Sequence, residues 1–349
     1  MTRWEDIGGS EIPELLDGLR DPALVDASLD GLYWAITPQG DRCTATPPTV
    51  PLLVDAVLDS RAPYRFDILH LIRCAAIGTM GDQLDWRVQR AHQVLPEEVA
   101  SWDAVVAEHS RLIPLLADGD RNVSRAALVV LAWTGCAEHA VLEQIGAGTE
   151  NTDEVEQCTA WLAAVILGTL PSDLSAPRGP SGGGPLRRFG QSMAALRFRP
   201  DDASPACVDE LCRAFESVEG GDELTRCDFL IGEEPSAVCK GALSRVPAHL
   251  RRYTAAKLLG AVSRGELLGT GPLRTYLRLV FGEPRRLRST ALGPDAVASL
   301  QALVPPLASW RPPPQEVSAL RSYGLPPSAR AFTAWLEGVT DPDELGPDL

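Results

Sequence analysis

The segment Tyr64-Arg65-Phe66-Asp67-Ile68-Leu69-His70-Leu71-Ile72-Arg73 is the densest mixture of titratable and aromatic side chains in the protein, with Asp82, Asp85 and Trp86 shortly after it. At helical spacing Asp67 and His70 are i, i+3 neighbours, and His70 stands three residues before Arg73, so all three can share one face. A carboxylate beside an imidazole can hold its tautomer and tune its proton affinity, which acid–base catalysis requires. The structural alternative is favoured: Asp67 pairs locally, His70 is a satisfied polar residue, and Arg73 makes an ion pair between repeats, because such networks produce the same clusters. Asp82 and Asp85 could face a hard cation, but two carboxylates do not make a calcium cage, and solvation of a loop explains them better. No metal site is expected.

Signatures of catalysis that are local in sequence are missing. The chain has no P-loop, no HExxH, no GxGxxG after a strand and no Cys/His zinc spacing. Gly190-Gln191-Ser192-Met193-Ala194 falls one glycine short of a nucleophile elbow and lacks its strand–turn–helix setting. No cofactor is expected, and the balance leans away from an enzyme.

Aromatic and basic residues offer contacts of another kind. Trp34, Trp86, Trp102, Trp133 and Trp161 recur about once per helical pair. Buried, they would fill a core; exposed in a groove, they would anchor a partner. Trp133 and Trp161 lie within apolar stripes and read as core, whereas Trp34 and Trp86 lie near loops. Trp34, Tyr64, Arg73 and Trp86 are therefore candidate partner contacts, as are Arg251 and Arg252 from a basic run. That run, Lys240 to Arg288, holds 11 basic residues against Glu266 and Glu283, while Glu97 to Leu170 holds 12 acidic and 3 basic residues. Two opposite patches would steer a dipolar partner, although runs of charge commonly do no more than face solvent.

The elements that would position these residues are helices. Val25, Leu29, Leu32 and Ile36 form one amphipathic stripe, with Asp21-Pro22 as a start signal before it, and Ile12, Leu15, Leu16 and Leu19 form a shorter one, making a hairpin over about 11–37. A second pair follows, with Val50, Leu53, Val54, Val57 and Leu58, then Phe66, Leu69, Ile72 and Ala76. A third has one long stripe from Trp102 through His109 to Leu116, then Val123 to Leu131. A fourth spans about 137–169. Hairpins starting near 11, 47, 98 and 137 fit repeats of about 40 residues with an insertion near 80–97. Alternating apolar and polar residues, the signature of strands, are almost absent.

The run Ile113-Pro114-Leu115-Leu116-Ala117-Asp118-Gly119-Asp120-Arg121-Asn122-Val123-Ser124-Arg125-Ala126-Ala127 closely resembles a HEAT repeat, in which a leucine pair is followed by an acidic turn, Val, Arg and small residues. Here Ser124 stands where Arg commonly follows Val, and Arg125 comes one place later, so an altered polar ladder is expected. Leu29 to Gly40, followed by Ala45-Thr46-Pro47-Pro48-Thr49-Val50-Pro51-Leu52-Leu53, resembles the start of uncharacterised HEAT-repeat proteins common in actinobacteria, with Pro38, Cys43 and Leu52 departing from their usual residues. Arg321-Ser322-Tyr323-Gly324-Leu325-Pro326 is also similar to that group. The resemblance implies an all-α fold, an α-solenoid of antiparallel helical hairpins, and it implies no agreed chemistry.

The expected organisation is an N-terminal array over 1–170, a loop or linker over 171–185 containing Gly182-Gly183-Gly184, and a C-terminal half over 186–349 of degenerate helical repeats. With 32 basic and 47 acidic residues the net charge is −15, which disfavours a nucleic-acid partner. The start lacks a signal-peptide pattern and no apolar run is long enough to span a membrane, so a cytoplasmic protein without a membrane partner is expected. The eight cysteines contain no CxxC and read as buried thiols. The leading function is a binding or scaffold protein that holds a protein or peptide in a concave groove, a small molecule being possible. The alternative is an enzyme on the same fold, related to DNA glycosylases or lyases, with Trp86 and Asp82 or Asp85 at its site.

Overall fold

The computed structural model describes residues 4–7, 9–62, 64–78, 84–216, 226–227, 229, 235–264, 272–282, 284–288, 291–309 and 314–338. The described residues fold into helices and turns, with no strand among them. Four helical pairs occupy the first half: α1 (Ile12–Gly18) with α2 (Val25–Ile36), and α3 (Thr46–Leu58) with α4 (Arg65–Ile77). After the single short helix α5 (Trp86–His92) come α6 (Pro96–Ala107) with α7 (His109–Leu112) and α8 (Arg121–Trp133), then α9 (His139–Thr149) with α10 (Glu154–Leu167).

Acidic turns start several of these helices. Asp120 accepts the Asn122 N–H at 2.9 Å before α8, and Asp153 accepts the Val155 N–H at 2.8 Å before α10, each satisfying one of the donors a helix start leaves open. The Asp21-Pro22 signal lies one turn early. Asp21 accepts the Ala23 N–H in a turn, and α2 begins only at Val25. The long stripe from Trp102 to Leu116 is also not one rod. The helix breaks at Glu108, resumes as α7, and tightens into a 3₁₀ segment, Ile113–Ala117. Pro114 has no N–H to continue the α ladder and its ring crowds the preceding turn.

The pairs lie in two layers. The first helices neighbour one another in the order α1, α3, α6, and α9 packs against the 3₁₀ segment; the second helices follow the order α2, α4, α8, α10. Small residues let them approach: a Cβ on Gly148 would come within 2.7 Å of that of Ala160, between α9 and α10. Ion pairs tie successive pairs together. Arg65 on α4 reaches Asp118 in the turn before α8 at 2.8 Å, and Arg125 on α8 reaches Glu156 on α10 at 3.2 Å. Ser124 instead donates to the Leu116 carbonyl at 2.7 Å, closing its own pair.

Helix α5, within the insertion, forms a strap. From α5, Gln89 donates to the carbonyl of Ile77 at the end of α4 (3.0 Å) and Arg87 to that of Leu167 at the end of α10 (3.1 Å). Trp86 lies against Gly135, just past α8, where φ is +77° and a Cβ would sit 2.8 Å from the indole. One short helix thus covers the C-terminal ends of three second-layer helices, where carbonyls lack partners and a cation is favoured.

Residues 171–184 are irregular. Across them α11 (Pro185–Phe198) packs closely on α10, with Gly190 against Cys158 and Trp161. The helices continue as α12 (Pro205–Glu216), α13 (Pro235–Leu243), α14 (Arg251–Arg264), α15 (Pro272–Phe281), α16 (Pro294–Gln301), α17 (Val304–Ser309), α18 (Pro314–Ser322) and α19 (Ala329–Leu336). Two of these, α16 and α17, are divided only by Ala302-Leu303. One apolar core runs from Ile12 to Trp335 and includes Trp102, Trp133 and Trp161. All eight cysteines are free, seven of them buried. Tyr323 donates to the Gly282 carbonyl at 2.5 Å, and its own carbonyl accepts from Leu287, so the Arg321–Pro326 turn pins the last helices. No helix among the described residues is long and apolar enough to cross a membrane.

Candidate functional site, an acidic aromatic groove between α2 and α4

Helix α2 is seated on α1 by two close contacts, Gly18 against Ser28 and Gly31 against Leu15. That seating buries Val25, Leu32 and Ile36 and leaves Asp26, Asp30 and Tyr33, one flank of the helix, facing the start of α4. From α4 come Asp67, His70 and Leu71, with Tyr64 just before its first residue. Together they enclose a groove of about 460 Å³. Tyr64 enters the helix with left-handed backbone, φ +57°, an unfavourable conformation for a bulky residue, and its ring stays 47% exposed. Trp34 follows Tyr33 at 63% exposure, the two rings meeting edge to face with centroids 6.0 Å apart.

Three carboxylates and no cationic side chain line this groove. Burial, reinforced by the charge of Asp26, raises the proton affinity of the Asp67 carboxyl above the ordinary carboxylate range. Burial also pushes His70 down to about 4, and Arg73 one turn behind it acts in the same direction, so the imidazole is neutral at pH 7. Arg73 itself is 3% exposed, so it reaches the groove through its field and not by contact. Asp67 and His70 share no hydrogen bond, and the pair is not an assembled acid–base dyad. Aromatic faces beside carboxylates instead suit a guanidinium or ammonium group.

The other candidates lie elsewhere. Asp82 falls outside the described residues. Asp85 caps α5 by accepting the Arg87 N–H and pairs with Arg197 at 2.7 Å. Trp86 is packed on Gly135 with the Arg87 guanidinium 4.9 Å from its ring centroid, which makes it part of the strap. Arg251 and Arg252 are exposed at the start of α14 and do not line the groove. Nearby, Lys257 and the Tyr253 hydroxyl both engage Asp209 at 2.7 Å, so part of the basic run is neutralised locally.

The α2 half of the groove was not among the candidates. Asp26, Asp30 and Tyr33 at i, i+4 and i+7, beside an apolar stripe and next to Trp34, were its signal in the sequence. No group of three His, Cys, Asp or Glu residues among those described is placed to hold a metal ion. Comparison with protein-family models, curated proteins and solved structures gives no match for this chain.

Proposed function

We propose that this chain is a binding or scaffold protein built as a HEAT-like α-solenoid, and that the α2–α4 groove holds a protein or peptide partner. Supporting the solenoid reading are the two layers of successive hairpins and the ion pairs from Arg65 to Asp118 and from Arg125 to Glu156, each linking one pair to the next. Supporting the binding reading is one observation above the rest. Tyr33, Trp34 and Tyr64 stand exposed around a groove whose charged residues are all acidic. Exposed rigid aromatics are what an interface uses as anchors. The second-layer helices α8 and α10 are buried almost throughout, so the groove beside α2 is where that layer stays open.

The partner segment carries basic side chains, because the groove sets carboxylates and ring faces together with nothing to neutralise them. A photo-crosslinking amino acid at position 33, used in the cells that carry the gene, tests this. The expected result is one stoichiometric crosslinked protein, attached through a basic segment. A chain that crosslinks to nothing and turns over a small substrate would defeat the proposal.

A further inference from the structure

A second cavity, remote in sequence from the α2–α4 groove and independent of it, lies where α10, α11 and α13 meet the residues before α5. One part of its wall is apolar, from Val165, Met193, Leu196 and Val238, and its volume is about 180 Å³. A volume of this order accommodates a body of about the size of a benzene ring. Methionine in the wall adds an adaptable surface.

The polar groups are few and convergent. Asp85 and Arg197, both in the lining, pair at 2.7 Å, which fixes the Arg197 guanidinium at the cavity. Arg197 and Arg87 gather at Gly168, the end of α10, where Arg87 already holds the Leu167 carbonyl. Arg245, also lining the cavity, is exposed and its guanidinium has no partner among the described residues. The lining therefore carries two guanidinium groups against one carboxylate, a local positive excess in a chain of net charge −15. A pocket with an apolar wall and an exposed guanidinium in its lining matches an anionic head on a compact apolar body.

We propose that this cavity binds a small monocarboxylate with a compact aromatic or branched body. Its carboxylate is held in a fork by Arg245, with Arg197 oriented by Asp85 as the second donor, and its body lies against Met193 and Val165.

The test uses 4-fluorobenzoate as probe, followed by ¹⁹F NMR on the full chain, with 4-fluorobenzamide as the neutral isostere. The carboxylate should bind saturably, with a dissociation constant on the order of 1 mM or tighter, and the amide should not. Arg245→Gln, an exposed position that does not support the core, should weaken binding by about tenfold or more. Met193→Trp, which fills the cavity, should abolish it; if that variant fails to fold, Arg245→Gln alone carries the test. Absence of saturable binding, equal binding of the amide, or unchanged affinity in Arg245→Gln would overturn the proposal.

Discussion

Arg65 Nη2 lies 2.8 Å from Oδ2 of Asp118, so the first turn of α4 is fastened to the turn before α8, inside the next helical pair and 53 residues along the chain. Both side chains are largely withdrawn from water, at 10% and 19% exposure, and the Asp118 carboxyl is held below the usual carboxylate range by Arg65. Arg65 also donates to the Val57 carbonyl at 2.8 Å, so the same guanidinium closes its own pair and reaches the next. Replacing Asp118 by Ala should cost about 1–3 kcal/mol in urea denaturation, between the values for exposed and fully buried pairs. Because the folded-state proton affinity of Asp118 is depressed, its contribution is complete above the unfolded-state pKa and fades as pH falls through the folded-state value. Arg65→Ala and Asp118→Ala combined should fall short of additive, which a double-mutant cycle would detect.

His70 gives a second dependence on pH, also lost toward acid. Its pKa is about 4 in the folded protein against 6.5 for the free side chain, so the unfolded chain takes up the proton first. Stability conferred by the neutral imidazole should decline from pH 6.5 downward, by on the order of 2–3 kcal/mol by pH 4. Asp67, raised by burial, moves stability in the opposite direction, and it is common to both proteins when the wild type is compared with His70→Gln. Denaturation midpoints measured from pH 7 to 4 should fall less steeply in His70→Gln; parallel profiles would show that His70 is not buried as described.

The strap makes a prediction about backbone. Gly135 combines φ +77° with an indole 2.8 Å from any added Cβ, so Gly135→Ala meets both conformational strain and a clash with Trp86. A loss of about 2 kcal/mol or more is expected, with a change in Trp86 emission as the ring is displaced. Arg87→Ala should cost less, about 1 kcal/mol, since it removes one hydrogen bond at the end of α10.

How much of this was legible in the sequence differs from element to element. The stripes beginning at Ile12, Val25, Val50 and Val123 mark helices because each repeats at 3.6 residues, and the acidic turn before Val123 marks a helix start because Asp120 has few other uses there. The strap was not legible beyond an insertion near 80–97. Its contacts run from side chains to backbone carbonyls, Gln89 to Ile77 and Arg87 to Leu167, and a carbonyl leaves no trace in the residue type that carries it. Trp86, a candidate partner contact in the sequence, packs on Gly135, and a glycine 49 residues away leaves no sign of which ring will cover it. Half of the groove was readable, since Tyr64, Asp67 and His70 drew notice by their chemistry. Asp26 and Asp30 resemble any solvated helix flank until α4 is brought beside them.

Exposed groove residues should separate binding from stability. Trp34→Ala and Tyr64→Ala remove rings that are 63% and 47% exposed, so each should shift stability by no more than about 0.5 kcal/mol. Asp67→Asn should raise stability slightly at pH 7, because it removes a carboxylate that burial disfavours. Matched thermal melts and binding assays on these variants check both halves of the statement.

The most direct measurement is a selection of random peptides displayed against the wild-type protein and, in parallel, against Asp26→Asn/Asp30→Asn and Trp34→Ala. The account predicts enrichment of peptides rich in arginine or lysine on the wild type, with binding of those peptides weakened about tenfold or more in either variant. Enrichment of acidic or uncharged peptides, or basic peptides that bind both variants as tightly as the wild type, would contradict it.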